Sequence, residues 1–588
     1  MTTVKIKING MEIECPSNAT ILEAAKIAGI EIPTLCFLKE INAIGACRVC
    51  MVEVKGARTL VTACVYPVAD GMEVFTNTEK VRKSRRLTLE LILSNHRKDC
   101  VSCARNLNCE LQKLATDMGV DGIRFADDQL QPQIECSTKH LVRDNSKCVL
   151  CRRCTATCKQ IQDVAVIGPN ERGFATHIGS PFERDLGETA CVNCGQCILV
   201  CPTGALTEVN DTGRVYAALS DGSKHVVAIT APAVRVALGE CFGMPIGTNV
   251  EGKMVASLHR LGFNDVFDVN LSADLTIMEE GTELLGRLES GKNLPIFTSC
   301  CPGWVSYCEQ YHPEFIPNLS SCKSPQQMLG AMLKVHYAKK LGIEPKDLFV
   351  VSVMPCTAKK NEADRPEQQA VPGVPDVDAV ITTRELGRMV ANAGLMFQNL
   401  PDEDFDPAFG VSTGAGYIFG VTGGVMEAAM RTVTEKVTGK ALDKVEFNEL
   451  RGTCGIKEAE YDLNGKKVKV AVVSGIANAK KLLASIKSGE AKYDAVEFMG
   501  CQGGCVNGGG QPIVSGFNMN FNDVKAIRGE ALHKGAVDTR PLCKSHENPV
   551  VQELYKDVIG EPGGKNAHAW LHTTYEKKAK YPCLKSGK

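Results

Sequence analysis

The sequence predicts a multidomain protein, α+β in its first third and α/β beyond, with three small cysteine-bearing modules ahead of a large bilobal domain. Three observations lead there. The 588 residues exceed what one hydrophobic core usually serves. Most of the 28 cysteines fall in dense groups within the first 201 residues. From about residue 210 onward, apolar strand-like runs ("HVVAIT", "LFVVSVM", "VKVAVVSGIA") alternate with helical segments such as "QMLGAMLKVHYAKKLG". The 67 basic and 68 acidic residues leave a formal net charge of -1, which gives no electrostatic case for nucleic acid or an anionic membrane. No apolar run has the length of a bilayer-spanning helix, and "MTTVKIKING" alternates like a strand without a signal-peptide core. A cytoplasmic protein is therefore expected, and there clustered cysteines point to metal ligation rather than disulfides.

Residues 1–78 open with "VKIKI", the turn Asn9-Gly10 and "MEIEC", a hairpin. The helix "TILEAAKIAG" follows, with Thr20 and Glu23 as a capping box and Gly29 as its stop. Next come Cys36, Cys47, Cys50 and Cys64, spaced C-x10-C-x2-C-x13-C. The close pair and late fourth cysteine agree with the plant-type two-iron pattern; the wide first gap does not. Four structural cysteines are the alternative, but the hairpin–helix–cysteine-loop order predicts a β-grasp ferredoxin domain with a 2Fe–2S cluster. In residues 79–137, "KVRKSRR" reads as the solvated start of a helix, and "NHRKDCVSCARNLNC" supplies His96, Cys100, Cys103 and Cys109. One imidazole and three thiolates suit structural zinc or a 4Fe–4S cluster with one histidine ligand. Spacing does not separate the two, while the company of other cluster motifs favours iron–sulfur.

Residues 138–209 carry two C-x2-C-x2-C-x3-C runs: Cys148, Cys151, Cys154, Cys158, and Cys191, Cys194, Cys197, Cys201. This is the two-cluster bacterial ferredoxin spacing, in which the fourth cysteine of each run ligates the other cluster. Cys201 should thus join Cys148, Cys151 and Cys154 on one 4Fe–4S cluster, and Cys158 should join Cys191, Cys194 and Cys197 on a second. Lys159 stands where the pattern has proline, which leaves the ligand count intact.

In the last domain, 210–588, Gly414, Gly416 and Gly420 miss the G-x-G-x-x-G spacing, so they predict a wall against a buried cofactor rather than a dinucleotide site. No flavin or NAD fingerprint is present. Three segments stand out: "TSCCPGW" at 298–304, "MPCTAKKNE" at 354–362 and "EFMGCQGGCVNGGGQP" at 497–512. One cysteine from each of the first two and two from the third supply four thiolates, enough for a cubane between lobes. Gly503, Gly504, Gly508, Gly509 and Gly510 would let backbone approach a bulky inorganic cluster.

This three-part combination resembles the signature of the [FeFe]-hydrogenases, and the accessory groups resemble those of their large multi-cluster members. The resemblance spans essentially the whole chain. It implies reversible cleavage of dihydrogen into protons and electrons. It also implies an H-cluster, a 4Fe–4S cubane joined to a two-iron unit bearing carbon monoxide, cyanide and a bridging azadithiolate, with three accessory 4Fe–4S clusters and one 2Fe–2S cluster. Carried over by motif, Cys301, Cys356, Cys501 and Cys505 are the cubane ligands, and Cys505 bridges to the two-iron unit. Cys300 would pass protons to the azadithiolate amine, with Glu280, Glu283, Ser320 and Arg287 leading outward. Glu280 and Glu283 lie three apart on one helical face and by sequence alone would be solvated; burial would raise a carboxyl pKa toward neutrality. Lys359 matches a lysine that bonds cyanide, while its neighbour Lys360 is expected at the surface. Met354 and Met499 would pack against the two-iron unit, and Ala231, Pro232, Ser324 and Gln326 lie in matching pocket segments. Cys15, Cys136, Cys241, Cys308, Cys322, Cys454, Cys543 and Cys583 show no ligand spacing and read as core or surface thiols.

Domain plans of this kind occur in monomeric clostridial-type enzymes and in catalytic subunits of NAD(P)-linked, electron-bifurcating assemblies. The implied electron partners are ferredoxin and/or a flavin-containing NAD(P)-binding subunit with a small 2Fe–2S subunit. The subunit reading is preferred because the first two modules also resemble a complex I subunit. Maturation proteins would install the two-iron unit. The rival is a non-catalytic relative, a hydrogen sensor or iron–sulfur assembly factor. Cys300, Lys359 and Cys505 argue against it, as does the lack of a visible signalling domain.

Overall fold

A computed structural model describes residues 2–125, 133–442, 446–453 and 455–581; Cys454 and Cys583 lie outside the described residues. The N-terminal hairpin pairs β1 (Thr3–Ile8) with β2 (Met11–Pro16). Asn9 and Gly10 both take positive φ (51° and 84°), as a two-residue type I′ turn demands. Ile6 and Ile8 of β1 are buried, which fixes the register. The helix Ile21–Ile27 starts with both halves of the capping box between Thr20 and Glu23, and Gly29 (φ 72°) follows its end. Strands β3 (Met51–Val54), β4 (Val61–Thr62) and β5 (Glu73–Phe75) complete a mixed sheet of order β2-β1-β5-β3-β4, with β5 parallel to β1.

Thr78 caps the helix Glu79–Ser94. Its basic run is mostly solvated, with one exception: Arg85 is part-buried and clasps the Met51 carbonyl through Nε (3.0 Å) and Nη2 (2.7 Å), tying the helix to β3. Strands β6 (Ile134–Glu135), β7 (Leu141–Asp144) and β10 (Leu206–Glu208) form a small antiparallel sheet. Between the last two lies the hairpin β8 (Gly168–Asn170) and β9 (His177–Gly179).

Beyond it, two four-stranded sheets carry the core. One is wholly parallel, of order β12-β11-β14-β15: β11 (His225–Thr230), β12 (Asp265–Asp268), β14 (Leu348–Met354) and β15 (Ala379–Thr382). The other has order β13-β18-β17-β16: β13 (Ile296–Phe297), β16 (Gly455–Leu463), β17 (Lys466–Ser474) and β18 (Ala495–Met499), with only β16 antiparallel. "HVVAIT" and "LFVVSVM" are almost fully buried, as parallel strands covered on both faces must be.

The carboxyl ends of four strands then deliver the chemistry. β11 runs into Ala231-Pro232, β14 into Pro355-Cys356, β13 into Cys300-Cys301, and β18 into Gly500-Cys501. Parallel sheets place ligand sites at such ends because connecting loops converge there. The helix Val269–Ser290, capped by Asp268, brings Glu280, Glu283 and Arg287 alongside. Trp304 is 0% exposed, stacks on Phe498 with ring centroids 3.9 Å apart, and donates Nε1–H to Thr298 O (3.1 Å), locking the turn that holds Cys300 and Cys301.

Candidate active site

The four strand ends enclose a cavity lined by Cys300, Cys301, Cys356, Cys501 and Cys505. Ala231, Pro232, Gln326, Met354, Met499, Phe419 and Lys359 form the rest of its near wall. Burial pushes the Cys501 thiol well above the ordinary value, and the neighbouring Cys356, Cys301, Cys194 and Cys505 push it further. Burial likewise raises Cys356 to about 11 and Cys505 to about 12. Crowded, desolvated thiols with one adjacent lysine are poor company for one another as thiolates. They suit a metal cluster whose irons carry the compensating charge and displace the protons. The donor set therefore fits an iron–sulfur cofactor.

Lys359 donates from Nζ to Cys300 O (3.1 Å) and to Glu362 Oε2 (2.9 Å). Burial works to lower its pKa, but Glu362 and the neighbouring thiols hold it above the ordinary value. Glu362 also accepts from Ser324 Oγ (2.8 Å) and Gln326 Nε2 (3.1 Å). Ser324 thus stands behind the wall, and Glu362 orients three of its members. The sequence offered a signal for Glu362 that was missed: an acid three residues after a lysine shares its helical face. Lys360 corrects an expectation. It is buried, not superficial, and bonds Val209 O (3.0 Å), Asp211 and Glu385 Oε1 (3.0 Å), tying β14's exit to the preceding module.

Glu280 is also buried rather than solvated. Desolvation, then the nearby Glu283, push its pKa up to about 8, against the pull of Ser320 and the Ser299 backbone; its Oε1 has no hydrogen-bond partner. Glu283 accepts from Ser320 Oγ (2.8 Å), Ser321 N (3.2 Å) and Arg287 Nη2 (2.6 Å). Arg287 in turn holds the carbonyls of Leu319 (2.8 Å) and Asn318 (3.0 Å). The Cys322 thiol, read from sequence as unassigned, lies 3.9 Å from Glu283 Oε2.

The glycine expectations divide. Gly504, Gly508 and Gly420 line the cavity. A Cβ on Gly509 would instead meet Cys194 O at 2.2 Å, on Gly510 Cys356 N at 2.9 Å, and on Gly503 the Lys525 side chain at 2.8 Å. Gly416 is pressed on Asn270 O and Gly414 lies against Ala536 O, so these positions admit backbone, not cofactor.

The accessory thiols fall into four sets. Cys50 and Cys64 lie 3.3 Å apart at sulfur, and Cys36 sits against Cys47, giving two pairs as a two-iron rhomb requires. Cys201 is an electrostatic neighbour of Cys148, Cys151 and Cys154. Cys158 is likewise a neighbour of Cys191, Cys194 and Cys197. His96 is buried, its Nδ1 has no partner, and burial lowers its pKa to about 4, the neutral form a ligand nitrogen needs. Among the described residues, the only donor set of three or more drawn within 4.8 Å is Glu435, His546 and Glu547, whose charge Lys544 already meets. Gln196, which the sequence did not single out, reaches from the second thiol run to Cys501 Sγ (3.2 Å).

Thiols at converging strand ends, a line of acids on one side and further thiol sets on another define a metal-cluster redox enzyme. Comparison with known proteins narrows this. The pattern described as "Iron only hydrogenase large subunit, C-terminal domain" matches residues 224–509, and "Iron hydrogenase small subunit" matches 522–578. A 2Fe–2S iron–sulfur cluster binding domain matches 1–79, an iron–sulfur binding region of NADH-ubiquinone oxidoreductase G 85–124, and a 4Fe–4S dicluster domain 138–205. The NADP-reducing hydrogenase subunit HndD of Solidesulfovibrio fructosivorans is 46% identical over 98% of this chain and 100% of its own. Iron hydrogenase 1 of Clostridium pasteurianum is 42% identical over 97% of this chain and 100% of its own. The structure of the apo [FeFe]-hydrogenase of Chlamydomonas reinhardtii covers 63% of this chain and 100% of its own, with 42% identity and a TM-score of 0.57. The chain belongs to the iron-only, or [FeFe]-, hydrogenases, enzymes that interconvert dihydrogen with protons and electrons. The alternative of a non-catalytic assembly factor has less support. No helix among the described residues is long and apolar enough to cross a membrane.

Proposed function

We propose that this chain is the catalytic subunit of an NAD(P)-linked hydrogenase assembly, acting in the cytoplasm, with an H-cluster in the thiol-lined cavity. The carrying observation is that Cys300, Cys301, Cys356, Cys501, Cys505, Lys359, Met354 and Met499 line one cavity at the ends of four strands. Cys301, Cys356, Cys501 and Cys505 would hold the cubane, with Cys505 joining it to the two-iron unit; when bound, that cofactor supplies the metal chemistry of dihydrogen cleavage. The N-terminal sheet reads as a β-grasp domain with one 2Fe–2S cluster. His96 with Cys100, Cys103 and Cys109, and the two interleaved thiol sets after them, read as three accessory 4Fe–4S sites. The boundaries 1–78, 79–137, 138–209 and 210–588 belong to this reading.

The residues around the cavity have distinct tasks. Cys300, spare beside the ligand Cys301, carries a proton between the cavity and Glu280. Glu280, with its pKa pushed to about 8, changes charge near neutrality and can both take and give that proton. Ser320 bonds Glu283 at 2.8 Å, so its rotating hydroxyl passes the proton on. Arg287, at the outer end, donates to Glu283 and fixes it in place. Lys359, anchored by Glu362 and the Cys300 carbonyl, would have one N–H left for an anionic ligand of the cofactor. The apolar wall of Ala231, Pro232, Met354 and Met499 excludes water.

The relatives support the pyridine-nucleotide reading of the acceptor. The chain carries no flavin or NAD fingerprint, while a relative is named as NADP-reducing and residues 85–124 match a region of NADH-ubiquinone oxidoreductase. Pyridine-nucleotide chemistry then falls to a flavin-containing partner, with a small 2Fe–2S subunit beside it. Co-purification from the native host tests this. The expected complex contains a flavoprotein and reduces NAD(P)+ with dihydrogen, whereas the isolated matured chain reduces viologen alone. A chain that purifies by itself and turns over at full rate with ferredoxin would select the monomeric reading instead.

A further inference from the structure

One side chain joins two of the thiol sets. Gln196 belongs to "CVNCGQC", between Cys194 and Cys197, and is 5% exposed. Its Nε2 lies 2.7 Å from Asn507 O and 3.2 Å from Cys501 Sγ. A backbone carbonyl only accepts, so the amide NH2 faces Asn507, and the second N–H of that group points at the sulfur. Around it the two segments are in direct backbone contact. Thr357 Oγ1 donates to Asn193 O (2.7 Å), and a Cβ on Gly195 would meet Thr357 Oγ1 at 2.4 Å and Gly509 Cα at 3.1 Å. Cys194 is also an electrostatic neighbour of Cys501. The loop of one thiol set is thus seated on the loop of the other, and Gln196 is the side chain crossing the seam to a ligand sulfur.

We propose that Gln196 is a positioning residue that tunes the reduction potential of the cubane from the neighbouring thiol module. This rests on the cubane reading above. A donor N–H on a ligand thiolate withdraws electron density and favours the more electron-rich state, so it raises the potential. The effect bears on electron flow because the donor belongs to the set facing the cubane. Reduction adds one electron to the cubane and forms no bond to Gln196. The hydrogen bond strengthens as the sulfur gains charge. A change of sequence in one module then alters the driving force in the other.

The test is an infrared redox titration of the matured full-length protein at fixed pH, following the CO and CN stretching bands as the cubane is reduced. In Gln196→Leu, isosteric and apolar, the reduced-to-oxidised ratio at the wild-type midpoint should fall roughly tenfold, about 59 mV downward for one electron. Gln196→Asn, too short to reach the sulfur, should shift the same way. Gln196→Glu, which sets a negative charge beside the thiolate, should shift further. Thr357→Val weakens the same seam without touching a sulfur and should leave the midpoint in place. The inference is overturned if Leu and Asn variants with intact bands stay within a factor of two of wild type, or if Thr357→Val shifts the midpoint as far as they do. Absence of CO and CN bands from the matured wild-type protein would sink the cofactor reading itself.

Discussion

Cys148, Cys151 and Cys154 come from seven consecutive positions, whereas Cys301, Cys356, Cys501 and Cys505 are gathered from segments as much as 204 residues apart. The first needs one short loop and Cys201 from the paired run, while the second needs two sheets to be in register. Three members of the local set are brought together as soon as its loop forms. The cavity forms only when β11, β13, β14 and β18 end at the same place, so its chemistry is hostage to core packing. Gln196 of the paired run, at a sulfur, and Lys360, through the Val209 carbonyl, nonetheless tie the thiol module to the cavity.

Several changes would break that contrast or sharpen it. The largest effect is expected at the spare thiol. Cys300→Ala should cut dihydrogen turnover by roughly 10²–10⁴, the usual worth of a proton-transferring group, while iron content and the electron paramagnetic resonance of every accessory set stay as in wild type. Loss of accessory iron as well would mean that the cavity and the local sets are not independent.

Trp304→Ala attacks the packing behind Cys300 and Cys301. It should destabilise the protein by about 3–5 kcal/mol, the range for removing a buried aromatic, read as a lower urea midpoint. The cubane, whose Cys300–Cys301 turn the indole locks directly, should be lost before the cluster of the first module, whose thiols Cys50 and Cys64 belong to a separate core. Simultaneous loss would contradict the division.

Glu280→Gln should cost less in stability and alter its pH dependence. The folded value of about 8 lies above the ordinary carboxyl value near 4.3, so between those values the native state holds a proton the unfolded chain has released. That contribution to stability is fully present below about pH 4 and is lost as pH rises through 8. Glu497, raised by burial to about 7, and Asp274, raised by burial to about 6, act in the same direction. Denaturant midpoints at pH 5 and pH 8 should therefore differ less in the Gln variant than in wild type; equal differences would place Glu280's titration elsewhere. The smallest effect is expected at Cys47→Ser, which should remove the 2Fe–2S signal yet leave viologen-driven turnover in place, because that donor need not enter through the first module.

The same division governed what could be read from sequence. The β1–β2 turn, the Thr20–Glu23 capping box and the paired thiol runs are local, so residue type and spacing specify them. Lys360 looked superficial because its partners Asp211 and Glu385 are distant in sequence and only the fold reveals them. Glu280 looked solvated because a single acid on a helix carries no sign of what packs on it. Gly509 and Gly510 looked like room for a cofactor, but their neighbours are the backbones of Cys194 and Cys356. The four cysteines proposed for the cubane could be grouped only through resemblance, since no local rule joins positions 301, 356, 501 and 505.

The most direct measurement is dihydrogen evolution from reduced methyl viologen by the full-length chain, loaded with its clusters and matured with the two-iron unit. Iron content and the CO and CN infrared bands would be recorded on the same sample. The account predicts turnover that accompanies those bands and falls by roughly 10²–10⁴ in Cys300→Ala while the bands remain. A fully loaded protein showing the bands but evolving no dihydrogen would contradict it.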